Sequence, residues 1–356
     1  MRTVNSRQAP ETNNMSRRMF LRLCVAGGVI AGCRNQANNA ISPNTIENNK
    51  QNIIALLLKS YEAGEMPLDK AITTINSLYA EIARMIDFKA KDEKNIQEEL
   101  IEYFLSQKYV LAIAPMRLRS SKFCINALCS KIEPHKNFDL SNLPFTRFPN
   151  LNNSIPVFKV TETIVPDVRE TDSRPNEERM FIDGLTLLGK EASKDIVLIF
   201  PEKIRFMAER EGIDENAYME SVIVNEVSQA YFRLLFKGHS LDEELPPIEG
   251  VDTSNLTLYH ALEAFSDMAS LKYGIFSHEI MRVISSTSDE YAFSRMIAIA
   301  RIRKTLAKLR IDQQNREINI EKIIKDNETD FKASILDAYE VVLSYIYHSK
   351  MNEIRM

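Results

Sequence analysis

Long apolar runs, histidine and cysteine are all scarce in this sequence. No stretch after the first 33 residues approaches the roughly 20 apolar residues that a bilayer-spanning helix needs, so the body of the chain is predicted to contain no such helix. The chain has only five histidines and four cysteines. It shows no Gly-rich phosphate loop, no nucleophile elbow and no Cys/His zinc pattern, which excludes the enzyme classes that depend on those motifs.

Basic residues are outnumbered by acidic ones. The chain has 45 Lys and Arg against 49 Asp and Glu, for a net charge of −4. Five of the arginines but only one acidic residue fall within the first 32 positions, so the rest of the chain is more acidic still. Bulk electrostatics therefore argue against nucleic-acid binding. A composition of 44% hydrophobic and 26% charged residues is typical of a globular protein.

The N-terminus contains an arginine pair, a short apolar segment and a cysteine, in that order. Arg17 and Arg18 precede an apolar segment, residues 23–32, that is too short to span a membrane. This segment leads into Ile-Ala-Gly-Cys, which is similar to the lipobox, where cleavage precedes a lipid-modified cysteine, here Cys33. Together these features resemble a bacterial twin-arginine lipoprotein signal, and the resemblance implies a signal peptide at 1–32. It also implies an exported chain, anchored by lipid to a bacterial membrane and facing the periplasm or the cell exterior.

The remainder of the chain divides into three parts. Residues 33–49 are polar and Asn-rich, and they are predicted to form a flexible tether. Residues 50–150 are predicted to form an N-terminal, mostly helical region, and residues 151–356 a core with C-terminal helices. Both Met1 and Met15 are candidate translation starts, because either one keeps the arginine pair.

Two of the four cysteines, Cys124 and Cys129, lie in the body of the chain. Their spacing matches neither a zinc ribbon nor a redox pair. Because export would place them in an oxidising compartment, a disulfide between them is a candidate bond.

Helical periodicity dominates the body, and a few β-rich runs interrupt it. The predicted strands are 110–114, 157–165 and 195–200. The predicted helices include two within 50–107, one that ends near 211, and those at 214–236, 256–273, 277–285, 288–310, 317–326 and 329–348. The Pro- and Asn-containing stretch 130–155 is predicted to be mostly loop. The predicted fold class is therefore α+β, helix-dominated with a small sheet.

Two segments predicted to be helical contain residues spaced like those of zinc-binding motifs. The helix predicted over 214–236 contains Asn-Glu-Val-Ser-Gln at 225–229. Zinc metallopeptidases have His-Glu-x-x-His in such an apolar helix, where two histidines one turn apart hold the metal and the Glu activates a water. The helix predicted over 256–273 contains Glu-Ala-Phe-Ser-Asp at 263–267. Together the two segments resemble the gluzincin, thermolysin-like metallopeptidases over about residues 195–275.

The resemblance implies a zincin-like core in which Glu263 is the third zinc ligand and Asp267 orients a ligand histidine. Asn225 and Gln229 occupy the positions of the two histidines, and Glu226 occupies that of the general base. Neutral amide oxygens are poor zinc ligands, and a water without zinc keeps its pKa near about 15.7. Glu226 is therefore predicted to be a vestigial base, and neither zinc hydrolysis nor a cofactor is expected.

The leading hypothesis is a lipid-anchored envelope protein with a metallopeptidase-like, inactive core that binds a peptide or protein partner or acts as a scaffold. A second hypothesis is an active metal-dependent hydrolase with zinc at a displaced site. Its ligands would be Glu226, His260 and Glu263, with His278 as a further candidate. A third hypothesis is an unrelated helical structural lipoprotein, in which the two amides at 225 and 229 are core groups satisfied by neighbouring hydrogen bonds.

Overall fold

The computed structural model describes most of the body of the chain. The described residues are 45–61, 63–91, 95–117, 122–143, 145–165, 184–187, 194–249, 252–286, 291–309 and 319–353. The predicted export motif at Arg17 and Arg18, the predicted lipidation site Cys33 and the predicted tether up to residue 44 lie outside these residues.

Helices make up most of the described residues. They are α1 (Thr45–Tyr61), α2 (Leu68–Met85), α3 (Ile96–Ser106), α4 (Pro201–Glu211), α5 (Glu215–Leu235), α6 (Leu258–Tyr273), α7 (Phe276–Ser285), α8 (Ala292–Lys308), α9 (Ile320–Asp326) and α10 (Glu328–Glu353). Gly212 ends α4 with a left-handed φ of 66°, and the Asp214 carboxylate starts α5 by accepting from the backbone N–H of Ala217 at 2.9 Å. Within the described chain, no helix combines the length and the apolarity needed to cross a membrane.

A small, curled, mixed sheet accompanies these helices. Its strands are β1 (Tyr109–Arg117), β2 (Phe123–Asp139), β3 (Ser154–Val165), β4 (Gly184–Leu187) and β5 (Ile196–Ile199). The strand order is β1-β2-β3-β5-β4. β1, β2 and β3 are antiparallel to one another, β5 is parallel to β3, and β4 is antiparallel to β5. The predicted α+β class, helix-rich with a small sheet, is confirmed.

Apolar side chains from helices and sheet form the core. Helices α1, α2 and α3 pack against β1 and β2 in one cluster, and α4 to α10 form a larger cluster with β3 and β5. Alternate residues of β5 point in opposite directions: Val197 and Ile199 join the large cluster, whereas Ile196 and Leu198 join a third cluster built mainly from strands. One sheet face is therefore covered by the helices that include α5.

The prediction that residues 130–155 are mostly loop is wrong for their first third. Strand β2 continues to Asp139 and pairs with β3. Pro134 lies next to a register shift between Pro134 and Lys136, where a β-bulge interrupts regular pairing. A proline has no N–H to donate to a regular ladder, so it is tolerated at such a position.

Two predicted boundaries also differ from the structure. Helix α1 begins at Thr45, so the last residues assigned to the tether, 45–49, are helical. The N-terminal region 50–150 contains the 9-residue strand β1 and the 17-residue strand β2, and therefore is not mostly helical. Since β2 pairs with β3, the sheet runs across the boundary predicted at residue 150.

The candidate disulfide between Cys124 and Cys129 is not formed. Both cysteines lie on β2, and neither forms a disulfide. Five residues of extended strand separate their Cα atoms by roughly 16 Å, whereas a disulfide needs less than about 7 Å.

Candidate functional site

Helix α5 carries the 225–229 segment through the middle of the largest apolar cluster. Every residue from Ser221 to Phe232 is buried, whichever way its side chain points. The helix is enclosed in this way because the sheet covers one side of it and α6 covers another. The segment is therefore part of the protein interior.

Helices α5 and α6 pack side by side in opposite directions. A Cβ atom at Gly274, just after α6, would lie 2.9 Å from the Ser221 hydroxyl near the start of α5. Near the other end of the contact, the ring centroids of Phe232 and Phe265 are 5.6 Å apart. Residue numbers therefore rise along α5 as they fall along the facing side of α6.

Asn225 joins the two helices by hydrogen bonds. Its side-chain Nδ2 donates to the Ser266 carbonyl oxygen at 2.9 Å and contacts the Ser270 hydroxyl at 2.6 Å. The residue is 3% exposed. The amide at the first histidine-like position thus acts as a polar bridge to α6.

Glu226 faces strand β4, about 100° around α5 from Asn225. The Thr186 hydroxyl lies 2.8 Å from both the backbone carbonyl oxygen and the carboxylate Oε2 of Glu226, and it donates its hydrogen to this pair. Glu226 is 5% exposed and Thr186 is fully buried. The carboxylate of the predicted vestigial base is therefore held by a hydroxyl of the sheet.

This contact depends on a close approach between β4 and α5. A Cβ atom at Gly184 would lie 2.6 Å from Cγ1 of Val222 and 2.9 Å from Cγ of Glu226. Only glycine fits at such separations without movement of one element. Gly184 therefore lets the strand backbone reach the helix, and Thr186 two residues later points the same way.

Gln229 and Glu263 are both 0% exposed. Neither the Nε2 nor the Oε1 atom of Gln229 has a hydrogen-bond partner in the described part of the chain, although both atoms are buried. Buried amides are nearly always hydrogen-bonded, so this side chain is an exception that requires a physical reason. The neighbouring hydrogen bonds predicted for a core amide are thus seen for Asn225 and not, among the described residues, for Gln229.

Asp267 is the centre of a buried polar network. Its Oδ1 accepts from Arg282 Nη2 at 2.8 Å, and its Oδ2 accepts from the Ser294 hydroxyl at 2.7 Å. Arg282 also donates from Nε to Glu279 at 2.9 Å and from Nη1 to the Tyr291 hydroxyl at 3.1 Å. Asp267 therefore links α6 to α7 and α8 instead of orienting a ligand histidine.

Arg282 carries the positive charge of this network and pairs with two carboxylates, those of Asp267 and Glu279. Burial alone would lower the pKa of Arg282, but Tyr291, Glu279 and Asp267 together raise that pKa well above its ordinary value. Burial, and then the nearby Asp267 charge, raise the pKa of Tyr339, whose hydroxyl donates to the Ser294 carbonyl oxygen at 2.8 Å. Arg282 is therefore a permanent cation among buried carboxylates.

The histidines of the displaced metal site are engaged in other contacts. His260 is the third residue of α6, and its Nδ1 accepts from the Thr257 backbone N–H at 3.0 Å in a capping box. His278 Nδ1 lies 3.7 Å from Glu211 Oε2 on α4. Across the described residues, no three His, Cys, Asp or Glu side chains come together as a metal-binding group.

Thr186 and Arg282 are site residues that sequence reasoning misses. Thr186 lies on a four-residue strand that carries no distinctive pattern. Arg282 lies in α7 three residues after Glu279, a spacing that predicts an ordinary surface pair. Only the tertiary arrangement brings either residue to the two segments.

Comparison with family models, curated proteins and solved structures finds no match for this chain.

Proposed function

We propose that this chain is an exported protein, held at a bacterial membrane by lipid on Cys33, whose body has a metallopeptidase-like but catalytically inactive core. The body serves as a scaffold for a peptide or protein partner at the membrane surface. The observation that carries this proposal is that the polar side chains of the 225–229 segment lie in the protein interior. Its polar side chains bridge to α6 and β4 or lie fully buried.

The packing of α5 against α6 supports the metallopeptidase-like part of the proposal. The resemblance requires the two helices that carry Glu226 and Glu263 to face each other, beside a sheet. The hydrogen bonds from Asn225 to Ser266 and Ser270 lie between these two helices. Strand β4 is hydrogen-bonded to α5 through Thr186, so a sheet also borders the segment.

The residues present do not fit a zinc ion. Zinc in proteins takes His nitrogen, Cys sulfur or carboxylate oxygen as ligands. Asn225 offers an amide whose nitrogen is already directed at α6, and Gln229 offers a second neutral amide. Glu263 is then the only one of the three ligand positions with a side chain that zinc commonly binds.

Glu226 is also badly placed to act as a general base. A catalytic base must reach the proton that it removes, within about 3.2 Å or through one water. The Glu226 carboxylate accepts from Thr186 and is 5% exposed, so a substrate has no direct approach to it. A non-catalytic role is therefore the one that this geometry favours.

Metal content and peptidase activity of the chain from residue 34 onward test the inactive core. We expect zinc far below one ion per chain by elemental mass spectrometry, and no chelator-sensitive cleavage of a broad peptide library. Cleavage that disappears in Glu226→Gln would refute the proposal, and stoichiometric zinc would refute the analysis of its ligands.

Detergent partition tests the anchor separately. In bacterial cells, we expect the full-length protein to enter the detergent phase and Cys33→Ser to remain in the aqueous phase. Cys24→Ser is the matched control, because Cys24 lies in the apolar segment and precedes the predicted cleavage site; it should still enter the detergent phase. Equal partition of the wild type and Cys33→Ser would contradict lipid anchoring.

A further inference from the structure

Helix α8 contains several basic residues and no acidic ones. Five of its 17 residues are Arg or Lys, whereas the chain as a whole has more acidic than basic side chains. A basic residue in the last turn suits the negative end of the helix dipole, and this accounts for Lys308. The dipole does not account for the other four basic residues or for the lack of any acidic residue over the whole helix.

Three of the five basic residues project from the exposed side of α8. Arg303, Lys304 and Lys308 are all exposed, and so are Ala300 and Ala307 beside them. These five positions lie within about 140° of one another around the helix axis. Because Arg and Lys have much longer side chains than alanine, their charged groups extend furthest from the helix. We call this surface, formed by Arg303, Lys304 and Lys308, the basic face.

The other two basic residues of α8 are partly buried and bind groups of the protein itself. Arg295 donates to a backbone carbonyl oxygen just after α7, and Arg301 Nη2 lies 3.6 Å from Asp337 Oδ2 on α10. Among the described acidic side chains, none forms an ion pair with Lys304 or Lys308. The charges of these two lysines therefore remain available to an external anion.

The proposed lipid anchor would hold the basic face near a membrane. Eleven residues, 34–44, separate Cys33 from Thr45 at the start of α1. Eleven residues reach at most about 40 Å, and a body of about 300 residues is roughly 50 Å across, so rotation of the body can bring α8 to the lipid surface. A short tether gives such a surface an effective concentration of about millimolar, so weak contacts suffice.

The overall acidity of the chain does not prevent this contact. Salt screens exposed charges beyond about 8 Å at physiological ionic strength, so acidic residues on other sides of the body oppose it little. Each Lys or Arg close to an anionic membrane surface raises binding about fivefold, so three such residues together raise it about 100-fold.

We propose that the basic face of α8 docks on anionic phospholipid headgroups of the membrane that holds the anchor. Docking sets which side of the body faces the lipid and leaves the opposite side open to a partner. This inference rests on the proposed anchor, which brings the body to the membrane.

Vesicle flotation of the chain from residue 34 onward tests the docking without the lipid on Cys33. The vesicles contain either pure phosphatidylcholine or phosphatidylcholine with about 30% phosphatidylglycerol, in about 50 mM or about 500 mM salt. We expect binding to the anionic vesicles only, and loss of most of it at the higher salt. No binding to the anionic vesicles at the lower salt, or equal binding to both kinds of vesicle, would overturn the proposal.

A triple variant tests whether binding depends on α8. Arg303→Gln, Lys304→Gln and Lys308→Gln together should lower the affinity for anionic vesicles about 100-fold. The matched control removes the same charge from exposed positions of α1 and α2, and it should bind like the wild type. Its substitutions are Lys59→Gln, Lys70→Gln and Arg84→Gln. An equal loss in both variants would show that net charge, and not the basic face, determines binding, and it would overturn the proposal.

Two further measurements complete the test. Arg303→Lys combined with Lys304→Arg and Lys308→Arg keeps every charge and should bind like the wild type, which separates loss of charge from damage to the helix. Retention on immobilised polyglutamate without binding to vesicles would assign the basic face to an acidic protein and overturn the lipid proposal. Detergent partition of Cys33→Ser tests the anchor independently, so failure of the docking is distinguishable from failure of the proposed function.

Discussion

Replacing Arg282 with methionine should break the buried ion network that joins α6, α7 and α8. Arg282 donates to Asp267 at 2.8 Å, to Glu279 at 2.9 Å and to Tyr291 at 3.1 Å. Methionine fills a similar length but leaves Asp267, which is fully buried, without its cationic partner. Breaking a buried pair from one side typically costs about 3–5 kcal/mol, so we expect the free energy of unfolding to fall by that amount.

Urea unfolding of the chain from residue 34 onward measures this loss. Arg84→Met is the matched control: Arg84 is paired with Glu81 at 3.6 Å, but its side chain is 80% exposed. Such a surface pair contributes about 0–1 kcal/mol, so the control should unfold almost like the wild type. Asp267→Asn combined with Arg282→Met should recover part of the loss, because it removes the stranded charge. A loss below about 1 kcal/mol in Arg282→Met would refute the buried network as a major source of stability.

Three further predictions concern β4 and the interior. Gly184→Ala should destabilise the protein by about 1–3 kcal/mol in urea unfolding, because its Cβ would lie 2.6 Å from Val222; the same change should cost less in a Val222→Ala background, and equal costs would contradict the close packing. Thr186→Val should cost about 1–3 kcal/mol by removing the donor to Glu226, whereas Thr186→Ser should be nearly neutral; equal losses would exclude the hydroxyl contact. Burial raises the pKa of the Cys129 thiol from 9.0 to about 12, so its contribution to stability is complete below pH 9 and is lost as the pH rises toward 12. The urea midpoint should fall over this alkaline range, less steeply in Cys129→Ala, and an unchanged slope would contradict the buried neutral thiol.

The helices follow closely from local sequence signals. The helix predicted over 214–236 corresponds to α5, because Asp214 caps its start and Gly212 separates it from α4. The strand predicted over 195–200 corresponds to β5, whose apolar residues are buried on both faces. In both cases the signal lies within the element itself, so neighbouring residues are enough to predict it.

Strands β2 and β4 show why the sheet is harder to predict. Pro134 lies within β2 and normally argues against a strand, but the adjacent bulge tolerates it. Strand β4 has four residues, and its position depends on pairing with β5 and on the close approach of Gly184 to α5. Both strands are determined by contacts with residues that are distant in sequence.

In the candidate site, too, local spacing can be predicted from the sequence, whereas contacts between distant residues cannot. The spacing of Asn225, Glu226 and Gln229 on one helix, and that of Glu263 on another, is evident in the sequence. The partners of these side chains are not evident in the sequence, because the partner of Glu226, Thr186, comes from the sheet. The alternative histidine ligand His260 looks suitable by spacing alone, but in the structure its Nδ1 caps the start of α6.

Restoring both histidines tests the central claim, a metallopeptidase-like core that has lost its metal ligands, most directly. Asn225→His combined with Gln229→His recreates His-Glu-x-x-His opposite Glu263, and the measurement is zinc per chain by elemental mass spectrometry after desalting. Asn48→His with Asn52→His, at two exposed positions one turn apart on α1, is the matched control. The account predicts about one zinc per chain in the restored variant and far less in the wild type and the control. A folded restored variant that retains no more zinc than the control would contradict it.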